Sequence, residues 1–548
     1  MKQIIVLLLF LYNLPAFTQY DKEWFFITAK DTITEIPTIK DGEVIEYIGD
    51  NKKLESILSK YNIYKFKKTY RNAKKEHLKK TFFVMTDDAK LMEELLLEMP
   101  ETFIFGEHIE EKDKKIFEPN DYGLTSTIGD NLGAQERLDY LDFLNVPKAW
   151  YYTTGSPDVL VGISDGSVDT LDVEFKDRIK VFRKSHLTNG HGLSIAETAV
   201  GKGDNAHGIA GVCYSCNIAA TSFGSFKNLE QLLELSNAGA RVINCSWGST
   251  TYYKTAQEVI NEMYNNGTII VAAGHNKSFS ETKGKLLYYP ASYDNVISVS
   301  SGLYRYKNYL ENIKQGRDKK GNDYYYVENI AGYVGRTAGF KNNDTLHSPY
   351  IYPVSIRNLN SEIDILGPST GIYAYSVFVL NKSHDDPKSS ATSPVVPLVT
   401  GTIGLMFSLY PCLPTNEVES ILKMTSWNID HIEANKPYKG LYGSGMLQTG
   451  DAVEMVFQLY NEKETAYIDN QNFSRWDFKL TSLSKEIIIQ NQKFTDSASL
   501  NLTAKNRIVI KENTVLKPGV NGKIALKINP KLEKECDLVL RDSSILED

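Results

Sequence analysis

Ser389-Ser390-Ala391-Thr392-Ser393-Pro394-Val395-Val396-Pro397-Leu398-Val399-Thr400-Gly401-Thr402-Ile403-Gly404-Leu405-Met406-Phe407-Ser408-Leu409-Tyr410 carries the first clue to the architecture. From Val395 to Leu409 the run is apolar all round, too short for a bilayer but suited to a helix buried in a large core. Pro394 and Pro397 fall in its first turn, where a missing N–H costs little, and Pro411 and Pro414 close it. Ser393 stands at the positive end of that helix, where backbone N–H groups point at any anion that forms. Two readings fit, a nucleophile or an N-cap, and this segment alone favours the cap.

The surrounding chain alternates strand and helix patterns. Strands are predicted over 159–164, 240–246, 268–273, 296–299 and 363–366, and amphipathic helices over 226–237, 253–265 and 416–425. Such alternation implies an α/β fold of three layers, with a parallel sheet covered on both faces and a site at the carboxyl ends of its strands. Residues 303–360 interrupt the pattern with a charged, Tyr-rich stretch, read as a surface insertion near the cleft. Residues 20–118 predict a separate small α+β unit, compatible with a ferredoxin-like sandwich and carrying the charged segment 110–115 near its end. Residues 461–548 show β-like alternation and predict a small C-terminal β module.

A chain of 548 residues is expected to form two to four domains, and its 42% hydrophobic content can bury a core. A net charge of -7 gives no basic footprint, which argues against nucleic-acid binding. Residues 1–19 have a basic start, an apolar run and small residues ahead of Gln19, the pattern of a signal peptide. That apolar run is about half of the roughly 20 residues a spanning helix needs. The expectation is a secreted, cell-surface or periplasmic protein with no transmembrane segment in the mature chain.

Five cysteines (Cys213, Cys216, Cys245, Cys412, Cys536) allow at most two disulfides. Cys213 and Cys216 are the candidate bridge, because a short loop can close it and no second CxxC completes a zinc site. Cys245 lies in an apolar strand and reads as a free buried thiol.

Four segments carry candidate chemistry. Val161-Gly162-Ile163-Ser164-Asp165 is an apolar strand ending in an acid. Asn189-Gly190-His191-Gly192-Leu193-Ser194-Ile195-Ala196 sets an imidazole among glycines, followed by the apolar Ala199-Val200. Ile269-Ile270-Val271-Ala272-Ala273-Gly274-His275-Asn276 is a buried strand running into a polar turn, and Ser246-Trp247-Gly248 follows another strand. Taken singly, Asp165 and Asn276 would be turn formers and His191 a loop residue.

Together these segments resemble the subtilisin-like serine peptidases, over roughly residues 119–460. Thr392-Ser393, Pro397 and Gly401 match G-T-S-x-x-x-P-x-V-x-G, with Ala391 in place of the first Gly. His191 matches H-G-T-x-V-A-G, with Leu193 and Glu197 departing; Gly166-Ser167 replaces the usual Thr-Gly, and His275 stands where Gly is usual. Tyr289-Pro290-Ala291 matches a further family segment, and the order Asp, His, Asn, Ser is the subtilisin one.

The resemblance implies Asp165, His191 and Ser393 as a catalytic triad acting through an acyl-enzyme, and Asn276 as oxyanion donor. It implies Ser246, Trp247, Gly248, Ala272, Ala273 and Gly274 as substrate lining, with Trp247 narrowing the specificity pocket. The chemistry needs these types, since a serine hydroxyl attacks only if a base removes its proton. The resemblance further implies protein or peptide substrates and a zymogen whose own propeptide, 20–118, inhibits it. No cofactor is required; a structural calcium ion is allowed, although no D-x-[DN]-x-[DN]-G loop assigns one. A catalytically inactive scaffold of the same fold that binds peptides or serves a surface assembly is the alternative. An α/β-hydrolase esterase is disfavoured, since no G-x-S-x-G elbow surrounds Ser393.

Overall fold

The computed structural model describes residues 22–30, 35–42, 44–70, 75–369 and 391–546. The expected signal peptide, 1–19, and Ser389 and Ser390 lie outside the described residues. The chain divides into two compact units, residues 1–115 with the last three residues, and residues 116–545.

The first unit is a four-stranded antiparallel sheet with two helices on one face. Its strands are β1 (Glu23–Ala29), β2 (Ile63–Lys68), β3 (Thr81–Thr86) and β4 (Phe103–His108), in the order β2-β3-β1-β4. Helices α1 (Lys52–Leu58) and α2 (Lys90–Glu98) bury Leu54, Ile57, Leu91 and Leu95 against Phe25, Ile27, Phe82 and Val84. Asn51 starts α1 by accepting the Lys53 and Leu54 N–H groups at 3.1 Å. This is the split β-α-β arrangement of a ferredoxin-like sandwich. The sequence reading missed β2, whose lysines hide its alternation; lysines are what a sheet edge carries to discourage further pairing.

The second unit is built on seven parallel strands, β5 (Leu160–Asp165), β6 (Ile179–Val181), β7 (Asn217–Ser222), β8 (Ala240–Cys245), β9 (Ile269–Ala273), β10 (Val296–Gly302) and β11 (Ile365–Pro368). Their order is β11-β10-β9-β8-β5-β7-β6. The central strands are apolar on both faces, Val161, Ile163, Val242 and Ile243 being fully buried, as a doubly covered sheet requires. On one face α3 (Glu230–Asn237) and α4 (Lys254–Asn265) pack Leu235, Ile260 and Met263 against Ile243 and Ile270.

The other face is covered by α5 (Val395–Leu409), all of whose residues are buried, as the apolar run predicts. It packs beside the helix His191–Val200, here α6, and beside α7 (Thr449–Tyr460). A Cβ on Gly401 would lie 2.6 Å from Val212 Cβ and 2.9 Å from the Ala199 carbonyl, so only glycine lets α5 approach this closely.

Within 303–360 the chain folds a second, antiparallel four-stranded sheet, Lys314–Arg317, Asp323–Glu328, Thr337–Gly339 and Tyr350–Ile351. Its Val327, Val334, Ala338, Phe340 and Ile356 share one buried cluster with Ile363, Leu366, Ile429 and Met446, so the insertion is packed onto the sheet-bearing region.

The C-terminal β module is a short parallel solenoid. Nine strands between Thr465 and Ile528 form three parallel sheets, each strand pairing with one 21 to 24 residues further on. Phe473, Phe478 and Phe494 are buried together in its interior, tilted or edge-on to one another at ring separations of 4.3–5.6 Å. The module is tied to the peptidase-like region by Thr481, whose N–H and hydroxyl donate to Glu417 at 3.0 and 2.7 Å, and by a Cys412–Cys536 disulfide. Cys213 is bonded to Cys216, and Cys245 is free and buried. Among the described residues no helix is long and apolar enough to cross a membrane.

Candidate active site

Asp165, Ser246 and Asn276 stand at, or just past, the carboxyl ends of β5, β8 and β9. Those strands are neighbours in the sheet, so the three loops meet at one rim. Asp165 is buried, and its Oδ1 accepts the Gly166 N–H at 2.6 Å. The same oxygen lies 2.6 Å from His191 Nδ1.

His191 is the first residue of α6. It is preceded by Gly190 at φ +79°, and its N–H donates to Asn189 Oδ1 at 3.1 Å. A Cβ on Gly192 would fall 2.2 Å from the Gly166 carbonyl oxygen. Glycine at 192 therefore lets α6 start against the Asp165 turn, which lays the imidazole on the carboxylate. Burial pulls the imidazole pKa down, but the hydrogen bond and charge of Asp165 outweigh it and the net shift is upward. With Nδ1 held by the carboxylate, Nε2 is the ring atom left to take a proton.

Ser393 lies just before α5. Its hydroxyl donates to the Ser246 carbonyl at 3.4 Å, and the Ser246 hydroxyl donates to the Ser393 carbonyl at 3.1 Å. Asn244 Nδ2 in turn donates to Ser246 Oγ at 3.0 Å.

Asn276 Oδ1 accepts from the Thr392 N–H at 2.7 Å and the Thr392 hydroxyl at 2.9 Å. The amide is thus pinned by its oxygen beside Ser393, leaving the Nδ2 hydrogens as donors. The insertion supports the same loop, since Arg357 Nη1 donates to the Asn276 carbonyl at 2.9 Å and Asn358 Nδ2 to the Gly274 carbonyl at 2.7 Å. The sequence reading missed Thr392, Arg357 and Asn358 as supports; nothing short-range in the chain links 357 to 276.

The expected substrate-lining residues divide. Gly248 is exposed to close approach, for a Cβ there would meet the Tyr288 ring and the Tyr289 carbonyl at 2.5 Å. Ala272 and Ala273 are buried within β9, so only their backbone can face a ligand. Gly274 starts the turn, its N–H donating to the Val299 carbonyl at 2.8 Å. The Trp247 indole N–H donates to the Ser164 carbonyl at 2.7 Å and its ring packs on Phe226 at 5.3 Å, which fixes it in the wall. The Cys213–Cys216 bridge lies by Ser408, near the far end of α5 from Ser393, and takes no part in this site.

Among the described residues no group of three or more His, Cys, Asp or Glu side chains is arranged to hold a metal. One buried acidic pair, Asp121 and Glu174, stands out. Neither oxygen of Glu174 has a partner of ordinary hydrogen-bond geometry beyond a weak pull from the Lys202 amide. Burial pushes Glu174 up to about 8, helped by the charges of Asp121 and Asp172 and opposed by Arg178. Burial likewise raises Asp121 to about 6, against the N–H groups of Asp204 and Asn205.

Comparison with known proteins shows which family the chain resembles. The chain is 29% identical over 168 residues to the thermophilic serine proteinase of Bacillus sp. (strain AK1), covering 28% of this chain and 40% of that one. It is 27% identical over 172 residues to the minor extracellular protease Epr of Bacillus subtilis, covering 29% and 26%. It is 24% identical over 387 residues to the calcium-dependent protease of Trichormus variabilis, covering 63% and 54%. The chain thus spans less than half the length of the first two relatives. The sequence profile of the subtilase family matches residues 156–445, more than half of the chain, and the protein belongs to that family.

Proposed function

We propose that this chain is a serine endopeptidase in which Ser393 attacks a peptide carbonyl to form an acyl-enzyme. His191 takes the Ser393 proton at Nε2 and passes it to the leaving amine. Asp165 keeps Nδ1 protonated and stabilises the imidazolium. Asn276 Nδ2 and the Ser393 N–H receive the negative charge on the tetrahedral oxygen. The observation that carries this reading is the 2.6 Å contact between His191 Nδ1 and a buried Asp165, on the same rim as a serine set before a wholly buried helix. The departure at Gly166 fits activity, because the turn there and Gly192, which the family motif shares, lie close enough to admit that contact.

Synthesis as a zymogen is supported by the separate first unit, which ends at Lys115 within the charged segment 110–115. Secretion is supported by the signal pattern at 1–19 and by a relative named an extracellular protease. Structural calcium is supported by a relative named a calcium-dependent protease. The Glu174 carboxylate, buried without an adequate partner, and Asp121 beside it supply hard oxygen ligands of the kind calcium takes. Bound there, the ion would neutralise buried negative charge; it has no part in the chemical step.

The test is hydrolysis of an unfolded protein by purified chain freed of residues 1–115. The reading expects cleavage that Ser393→Ala abolishes. Equal cleavage by both proteins, or none by a folded wild type, refutes it; the latter result favours the inactive scaffold.

A further inference from the structure

His275 stands next to the oxyanion amide in a conformation that needs explaining. Its φ is +95°, in the left-handed region that non-glycine residues avoid, and such strain persists only where surrounding structure holds it. Two contacts do so. His275 Nδ1 accepts the Lys277 N–H at 2.9 Å, closing a turn whose middle residue is Asn276. The ring stands edge-on to Tyr288, with centroids 4.3 Å apart and planes at 87°. Tyr288 is itself anchored, its hydroxyl donating to the Gly248 carbonyl at 2.6 Å. A line of contacts therefore runs from the Ser246-Trp247-Gly248 segment through Tyr288 and His275 to Asn276.

A ring nitrogen that accepts a backbone N–H must be unprotonated. We propose that His275 is a positioning residue for Asn276, holding the oxyanion amide in place only while its own imidazole is neutral. The inference rests on the peptidase reading, because it concerns the donor that reading uses.

Protonation of Nδ1 would set an N–H against the Lys277 N–H and open the turn, freeing the Asn276 backbone that now fixes where the side chain starts. The charged and titratable groups acting on the ring are Lys277 on its own turn, Glu281 in the short helix that follows, and Tyr288 edge-on across from it; Arg357 bonds the carbonyl of the next residue. Burial and then Lys277 lower the imidazole pKa, against Glu281. His191 is shifted the opposite way, so His275 takes its proton at lower pH than His191.

The experiment is the pH dependence of kcat for chain freed of residues 1–115, in the wild type, His275→Asn and His275→Gly. Asparagine tolerates positive φ and offers Oδ1 to the N–H two residues on, without titrating; glycine relieves the strain but offers no acceptor. In the wild type log kcat should fall with slope one as His191 protonates, then drop about a further tenfold below that line at lower pH as His275 protonates. His275→Asn should keep slope one throughout. At the pH plateau His275→Gly should fall about tenfold below His275→Asn in kcat, with KM little changed, since a displaced oxyanion donor weakens transition-state binding. A second ionisation that persists in His275→Asn, or equal plateau kcat for the Asn and Gly variants, overturns the proposal. Loss of all hydrolysis in the wild type would instead overturn the peptidase reading.

Discussion

Ser246 and Ser393 hydrogen-bond one another in both directions, each hydroxyl donating to the other's carbonyl, at 3.1 Å from Ser246 and 3.4 Å from Ser393. The pairing joins the end of a central parallel strand to the start of the buried helix. It fixes the Ser393 carbonyl while leaving its hydroxyl on the weaker of the two bonds, free to turn towards a base. The Ser246 oxygen also serves Asn244, which is fully buried.

Replacing Ser246 by alanine should therefore cost about 1–3 kcal/mol, because it strips the partner from a buried amide and from the Ser393 carbonyl. Urea unfolding of Ser246→Ala in a Ser393→Ala background, which prevents self-digestion, checks this. Unchanged stability would mean that the pair is incidental.

Asn276→Asp separates holding from catalysis. An aspartate keeps the oxygen that accepts both Thr392 donors but has no N–H to offer an oxyanion. The expected result is a loss of kcat on the order of 10²–10³ with KM and melting temperature close to wild type. A loss confined to stability would place Asn276 in the scaffold alone.

The Asp165–His191 contact predicts the direction of the acid limb. Burial lowers and Asp165 more than restores the imidazole pKa, so activity should rise with pH through a value above that of a free histidine. Asp165→Asn removes the raising influence and leaves burial. The limb should then move to lower pH while the plateau drops, by about 10⁴ if the wrong tautomer forms. For stability the sign is opposite to that of a depressed acid: a raised histidine contributes fully below its unfolded pKa and loses that contribution as pH rises through its folded one. Imidazole NMR of Ser393→Ala, with and without Asp165→Asn, measures the shift directly.

Glu174 predicts a calcium effect with a definite pH dependence. Its carboxyl titrates at about 8 in the fold against an ordinary value of 4.5. Between those values the native chain binds more protons than the unfolded one, so stability falls as pH rises, by an amount on the order of a few kcal/mol. In chelator at pH 8, Glu174→Gln should melt above wild type. Added calcium should raise the melting temperature of wild type but not of the variant. An equal calcium response in both would put the ion elsewhere.

Legibility in the sequence followed the range of the interaction. Positions set by their own strand or helix could be read directly: Asp165 at a strand end, and the fifteen buried residues from Val395 to Leu409. The solenoid could be read only in part. Alternation marked its strands, but their parallel pairing appears only as a return every 21 to 24 residues, a longer period than alternation reveals. Supports contributed from far along the chain were invisible, as with Arg357 on the Asn276 carbonyl. Thr392 was quoted in the motif, yet its two bonds to Asn276 Oδ1 depend on a loop 116 residues earlier. His275 looked like a bare departure from a glycine; its meaning came from the Lys277 N–H and the Tyr288 ring, which only coordinates bring together.

The most direct test of the account is to treat folded chain freed of residues 1–115 with a fluorophosphonate and locate the adduct by peptide mass spectrometry. The account predicts one phosphonylated residue, Ser393, at a rate that collapses in His191→Ala. No adduct on folded protein, or an adduct on another serine at an undiminished rate in that variant, would contradict it.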